Sequence, residues 1–279
     1  MPGHDFRHAP PLGLSWATYL EHFVAEHGGW VALADALVHR GSGVIDLPVD
    51  LQTIEKGLRR LAAKEHKPAG QYGRWMLRFF GVPPASEGWA RRLAQYHSRL
   101  SDLPTSLRLE QLRLWDRPPI AESSVAAWIQ AGLASVFHRM NNLEACRQHL
   151  SRASHGAKRA GFLAVAEVSL LQARLATDDN DHTQAVMLFD HVEDLLSTND
   201  ISREDQLCYH ARLAGQRGFH LTKPPSGEKP KLQEARKLFD ARRGSCRPLR
   251  VLSTKLWPRL LHLEARRCRR GRKAGAPGG

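Results

Sequence analysis

Apolar residues in this chain return at intervals of three and four, not two, and that period restricts it to helices. Trp16, Tyr19, Leu20 and Phe23 follow Ser15, a residue able to accept the first free N–H groups of a helix, and Gly28-Gly29 can end that helix. Trp30, Leu33, Ala34 and Leu37 share one side of a second helix, which Gly41-Ser42-Gly43 breaks. Asp50 can cap a third, with Leu51, Ile54, Leu58 and Leu61 on one side. Gly70 and Gly73 punctuate the chain before a short helical stretch at 75–80, and Gly81-Val82-Pro83-Pro84 stops it. Alternating β-branched runs bounded by turn residues are nearly absent. The expected fold class is all-α.

Breaks in composition divide the 279 residues into four parts. Residues 1–13 are rich in His and Pro and are expected to be disordered. Residues 14–119 hold five of the seven tryptophans and form a Trp-rich helical domain ending at Asp116-Arg117-Pro118-Pro119, a helix stop. Residues 120–241 are rich in Ala and Leu. Residues 242–279 are an Arg-rich tail, expected to be disordered. No run approaches the ~18 apolar residues of a membrane span, and residues 1–14 lack the apolar stretch of a secretory signal. The four cysteines are far apart and form no Cys-x-x-Cys pair. A reduced, cytoplasmic protein is expected, with Cys146 and Cys208 as small packing residues.

A helix–turn–helix pattern recurs in the third part. Trp128, Gly132, Leu133 and Val136 lead into an Asn141-Asn142 turn, and a second helix opens at Leu143-Glu144-Ala145. Leu170, Leu171, Ala173 and Leu175 lead into Asp178-Asp179-Asn180-Asp181, and Gln184-Ala185 with Leu188 and Phe189 follow. A third pass runs from Leu207, Tyr209, Ala211 and Leu213 through a Pro/Gly loop at 223–230 to Glu234-Ala235, Leu238 and Phe239. On Trp128, Gly132, Ala145, Ala185 and Ala235 the segment resembles the tetratricopeptide repeat family. The alanines stand 40 and then 50 residues apart, against a family period of about 34. Ala131 and Ser135 occupy the signature positions of Leu and Tyr. The resemblance implies stacked helical hairpins whose first helices face inward and bind a protein or peptide partner. In that register Gln130, Gln172 and Arg174 are the candidate groove residues. A plain helical bundle without a binding groove is the other reading of the same pattern.

Charge is strongly partitioned. The chain carries +13 in all, and the tail from 242 onward carries +11 of it, with twelve Lys/Arg and Glu264 as its one acid. Within the rest, residues 56–99 hold ten basic and two acidic residues. In the helix that Asp50 caps, Lys56, Arg59, Arg60 and Lys64 fall opposite the apolar side, and Arg74, Arg78, Arg91 and Arg92 extend the basic block. A short helix followed by one with a basic face resembles a helix-turn-helix, whose second helix enters the DNA major groove. The connection here, 41–49, is longer than that motif's tight turn, and only Gln52 among the face residues suits base reading. Three readings stand: a solvated amphipathic helix, a DNA-binding helix, and a dock for an acidic protein.

Catalytic constellations are missing from the sequence. It has no Walker loop, no Gly-x-Gly-x-x-Gly, no His-Glu-x-x-His and no Gly-x-Ser-x-Gly. The acidic turn at 178–181 lacks the Gly and distal Glu of a calcium loop. No enzyme activity, cofactor or metal is expected, and no small-molecule ligand. For the tail, a nucleic-acid arm, a tether to an acidic surface, and an out-of-frame end replacing further helices are the alternatives. The sequence points first to a non-enzymatic protein-interaction scaffold, and second to a DNA-binding transcription regulator with a helical-repeat sensor or dimerisation domain.

Overall fold

The computed structural model describes residues 13–46, 48, 50–95, 104–223 and 228–241. The N-terminal segment as far as residue 12, the whole tail and its three readings lie outside the described residues. The described residues form helices and connecting turns, with no strand. As the Ser15, Asp50 and Gly28 signals require, α1 (Trp16–His27) is capped by the Ser15 side chain, which accepts the Thr18 N–H, and ends at Gly28 in the left-handed conformation at φ 84°. The Asp50 carboxylate accepts the Gln52 and Thr53 N–H groups at the start of α3 (Leu51–Ala62).

α1, α2 (Trp30–Gly41), α3 and α4 (Gly70–Phe79) pack as a four-helix unit. α3 buries Ile54, Leu58 and Leu61. Leu51, expected on the same face, is instead 37% exposed. It stands in the first turn, at the rim beside Trp30 and Arg59, beyond the part of α3 that the neighbouring helices cover.

Among the described residues, eight further helices pair into four hairpins. These are α5 (Pro84–Ala94) with α6 (Thr105–Trp115), α7 (Ala126–Arg139) with α8 (Leu143–Ala160), α9 (Phe162–Asp178) with α10 (His182–Thr198), and α11 (Arg203–Thr222) with α12 (232–241). The last three are the hairpins the sequence pattern predicts. The first is an addition upstream of Pro119. Each later first helix rests on both helices of the preceding hairpin: α7 on α5 and α6, α9 on α7 and α8, α11 on α9 and α10. The two central turns are built alike. Asn141 (φ 56°) and Asn180 (φ 62°) take the left-handed conformation that closes one helix. Asn142 and Asp181 then cap the next, accepting the N–H groups of Ala145 and Gln184.

One apolar core runs unbroken from Leu14 through Trp115 and Trp128 to Leu175, so the four-helix unit and the first hairpins share it. A second core under α9, α10 and α11 gathers Leu170, Ala185, Phe189, Val192 and Tyr209. The stack depends on close approach at Gly132. A Cβ there would lie 2.9 Å from the Ala94 backbone and 2.8 Å from Leu112. Gly132→Ala should therefore destabilise the protein by about 1–2 kcal/mol, overpacking outweighing the gain in helix propensity. A urea midpoint equal to or above that of the native protein would contradict this account of the stack.

Candidate functional site

The basic face expected on α3 forms, and α4 joins it. The ring of Tyr72 on α4 packs against Gly57, where an added Cβ would fall 2.3 Å from it, and its hydroxyl donates to Thr53 O at 3.4 Å. The two helices are thereby held side by side. Burial raises the Tyr72 pKa, and the charge of nearby Arg60 opposes that rise. Lys56, Arg60, Arg74 and Arg78 are exposed, and none forms an ion pair with a carboxylate among the described residues.

Two other cations of the predicted block are engaged internally. Arg59 pairs with Glu55 at 2.7 Å and lies 4.8 Å over the Trp30 ring. Lys64 donates to the carbonyls of Pro68 and Ala69 at 3.1 and 3.4 Å, bracing the loop into α4.

The three predicted groove residues tie helices to one another. Gln130 is buried; its amide nitrogen donates to Asp116 Oδ1 at 2.6 Å and its oxygen meets His149 Nδ1 at 2.7 Å. Gln172 donates to Ser154 Oγ at 3.2 Å. Arg174 donates to Asp178 at 3.1 Å and lies 3.6 Å over the Phe219 ring. Their employment follows from how α7 and α9 are placed. Nearly every residue of α7 from Ala127 to Val136 and of α9 from Ala164 to Thr177 is buried or half-buried.

Across the inner side of the stack α5 meets α11. Arg91 pairs with Asp205 and lies 5.7 Å over the Trp128 ring. Gln95 donates to the Tyr209 hydroxyl at 3.4 Å, and that hydroxyl reaches Glu167 Oε2 and Leu163 O, both at 3.3 Å. Arg212 pairs with Glu167, both buried. Burial, with the Glu167 charge behind it, pushes the Tyr209 phenol well above its ordinary value. Sequence reasoning missed this polar seam. One signal was present: Glu167 is the single acid in the apolar run from Phe162 to Ala176.

At the far end of the same helices Asp178 accepts from His138 (3.0 Å), Arg174 (3.1 Å) and Lys223 (2.7 Å). Burial raises its pKa, but these three donors together outweigh it and hold the carboxyl below its ordinary value. Nearby, His220 Nδ1 lies 3.2 Å from Thr177 Oγ1, and its ring meets that of His182 at 5.0 Å. Burial first, then His182, lowers the His220 pKa. Burial, then Arg152, lowers that of His149, which stacks on Phe137. The signs agree. A histidine with a lowered folded pKa favours folding in its neutral form, so stability is full above its ordinary value near 6.5 and falls as protons add below it. Urea unfolding should show a stability loss between pH 7 and pH 5 that is smaller in His220→Asn. An identical loss in the variant would remove His220 from the account.

The buried Cys146 is a packing residue, and burial pushes its thiol up to about 11. Among the described residues, no three His, Cys, Asp or Glu side chains converge to hold a metal ion, and no helix is long and apolar enough to cross a membrane. Compared with known proteins, the chain matches no family model, no curated protein sequence and no solved structure.

Proposed function

We propose that the protein is a non-enzymatic interaction scaffold built on a tetratricopeptide-like array. The observation that carries this reading is the seating of each first helix on both helices of the hairpin before it. Small residues at the positions the resemblance requires add support. Ala185 and Ala235 are buried, and Gly132 admits α5 and α6. Because α7 and α9 are enclosed, the partner surface we assign is the outer side of the second helices. On α10, Val186 and Met187 are 45% and 62% exposed, beside the carboxylate of Asp194 and that of Asp190, with which Arg217 pairs. A protein segment with apolar side chains on a basic background fits that face. Met187→Asp should leave circular dichroism and melting temperature unchanged, and should reduce at least tenfold the recovery of a partner captured by the intact protein. Equal recovery with both proteins would remove α10 from the interface.

A second reading, a DNA-binding regulator, is favoured by one observation: the exposed, unpaired cations of α3 and α4. α3 presents its apolar side to α2 and its basic side outward, as the second helix of a helix-turn-helix does. In the full-length chain, Lys56→Glu with Arg60→Glu should weaken binding to duplex DNA at least tenfold at low salt, since each lost phosphate contact removes a salt-dependent term. Absence of DNA binding by the native protein at low salt would eliminate this reading.

A further inference from the structure

The basic surface continues past the four-helix unit. The loop leaving α3 is fastened to the array, with His66 Nδ1 3.0 Å from Pro118 O and the Ala69 N–H donating to the Glu122 carboxylate at 3.2 Å. Lys67 on one side of this junction and Arg117 on the other are both exposed. One turn back from Arg117, on α6, Arg113 is exposed as well. Gln130 bridges Asp116, at the end of α6, to His149 on α8, and Arg113 stands one turn before Asp116 while the exposed Arg152 stands one turn after His149, which brings α8's cation to the same region as α6's. Lys158 and Arg159 are exposed further along α8. Cations therefore line a path from α4 and α3, over the junction, to α6 and α8.

Few carboxylates interrupt it. Asp116 is half-buried with one oxygen held by Gln130, Glu122 is engaged with Ala69, and two carboxylates are exposed, Glu65 in the loop after α3 and Glu110 one turn before Arg113 on α6.

Resting on the nucleic-acid reading above, we propose that a DNA duplex lies along this path, its phosphates contacting α3 and α4 at one end and Arg113, Arg117 and Arg152 at the other. Two features select this ligand. A membrane surface takes apolar side chains along with cations, and of the large exposed apolar residues among the described residues Leu51, in the first turn of α3, lies on the path, with none on α4, on α6, on α8 or in the loop at 63–69. Single strands are held by stacking on aromatic rings. α8 has no Phe, Tyr or Trp, the aromatic residue of α6, Trp115, is buried, and the half-buried Tyr72 of α4 is packed against Gly57 with its hydroxyl on Thr53 O. Guanidinium groups spread over several helices suit a rigid rod of phosphates read through its backbone.

The test is fluorescence anisotropy with the full-length chain and a labelled duplex of about three helical turns (~30 bp). Arg113→Glu with Arg152→Glu should raise Kd at least tenfold at low salt and flatten the log Kd against log salt slope by about 2. A control with the same change in net charge, Arg203→Glu with Arg236→Glu on the fourth hairpin, should stay within about threefold of the native protein, well below the effect of the paired loss. If the native protein binds and Lys56→Glu with Arg60→Glu weakens it, but Arg113→Glu with Arg152→Glu matches the control, the extended path is overturned and the DNA reading stands. If both pairs match the control while binding persists, the binding lies elsewhere on the chain and both are overturned. Absence of native binding overturns both. Tighter binding to phosphatidylserine vesicles than to the duplex, with the same losses on substitution, assigns the path to lipid and overturns the proposal.

Discussion

The array depends on one steric condition: α7 must lie against α5, α6, α8 and α9 together. A helix with four neighbours has little room for side chains at its crossings. Gly132 meets that condition on the α5 and α6 side, and Gly156 meets it from α8, where a Cβ would sit 3.1 Å from Ala127. With those contacts made, α7 contributes Trp128, Ile129, Leu133 and Val136 to the shared core, and the four-helix unit and the array become continuous. The geometry of both exposed surfaces follows. The α3–α4 face is placed through the junction at Pro118, and the outer faces of α8 and α10 turn outward because their inner faces are held by α7 and α9.

The same enclosure explains the buried charges. Arg108 is fully buried and donates to the carbonyls of Ala94 (2.9 Å) and Leu93 (3.4 Å), so a cation meets the last carbonyls of α5, where the helix dipole favours it. Glu167 and Arg212 answer each other within hydrophobic surroundings. A buried pair of this kind adds little net stability over an apolar pair of equal volume, but either member alone is costly. Both members lie where α11 seats on α9, and Tyr209 reaches Leu163 O at the same contact.

Local chemistry was legible in the sequence. Ser15, Asp50 and the two Asn-containing turns act where their side chains alone would put them, and the three hairpins from α7 to α12 follow from helical periodicity. The α5–α6 hairpin was not legible. Its helices are 11 residues each, it precedes a strong proline stop, and it lacks the alanine register of the others. The basic face of α3 was readable because amphipathicity is a property of one helix. Its continuation to Arg113 and Arg152 was hidden, because it depends on which helices are neighbours. The roles of Gln130, Gln172 and Arg174 depended on whether the inner side of the array is open, and a repeat pattern does not state how tightly the repeats coil. The seam of Arg91, Asp205, Gln95, Tyr209, Glu167 and Arg212 is long-range in sequence, with partners 42 to 114 residues apart.

In a solenoid each repeat touches its neighbours alone, so its ends can fray while the middle stays folded. The contacts of Arg91 with Asp205 and of Gln95 with Tyr209 connect the first hairpin of this array to the fourth. They turn a linear stack into a closed circuit. Loss of the last hairpin therefore removes partners of Arg91 and Gln95 in the first, a dependence between hairpins that a purely linear stack does not have.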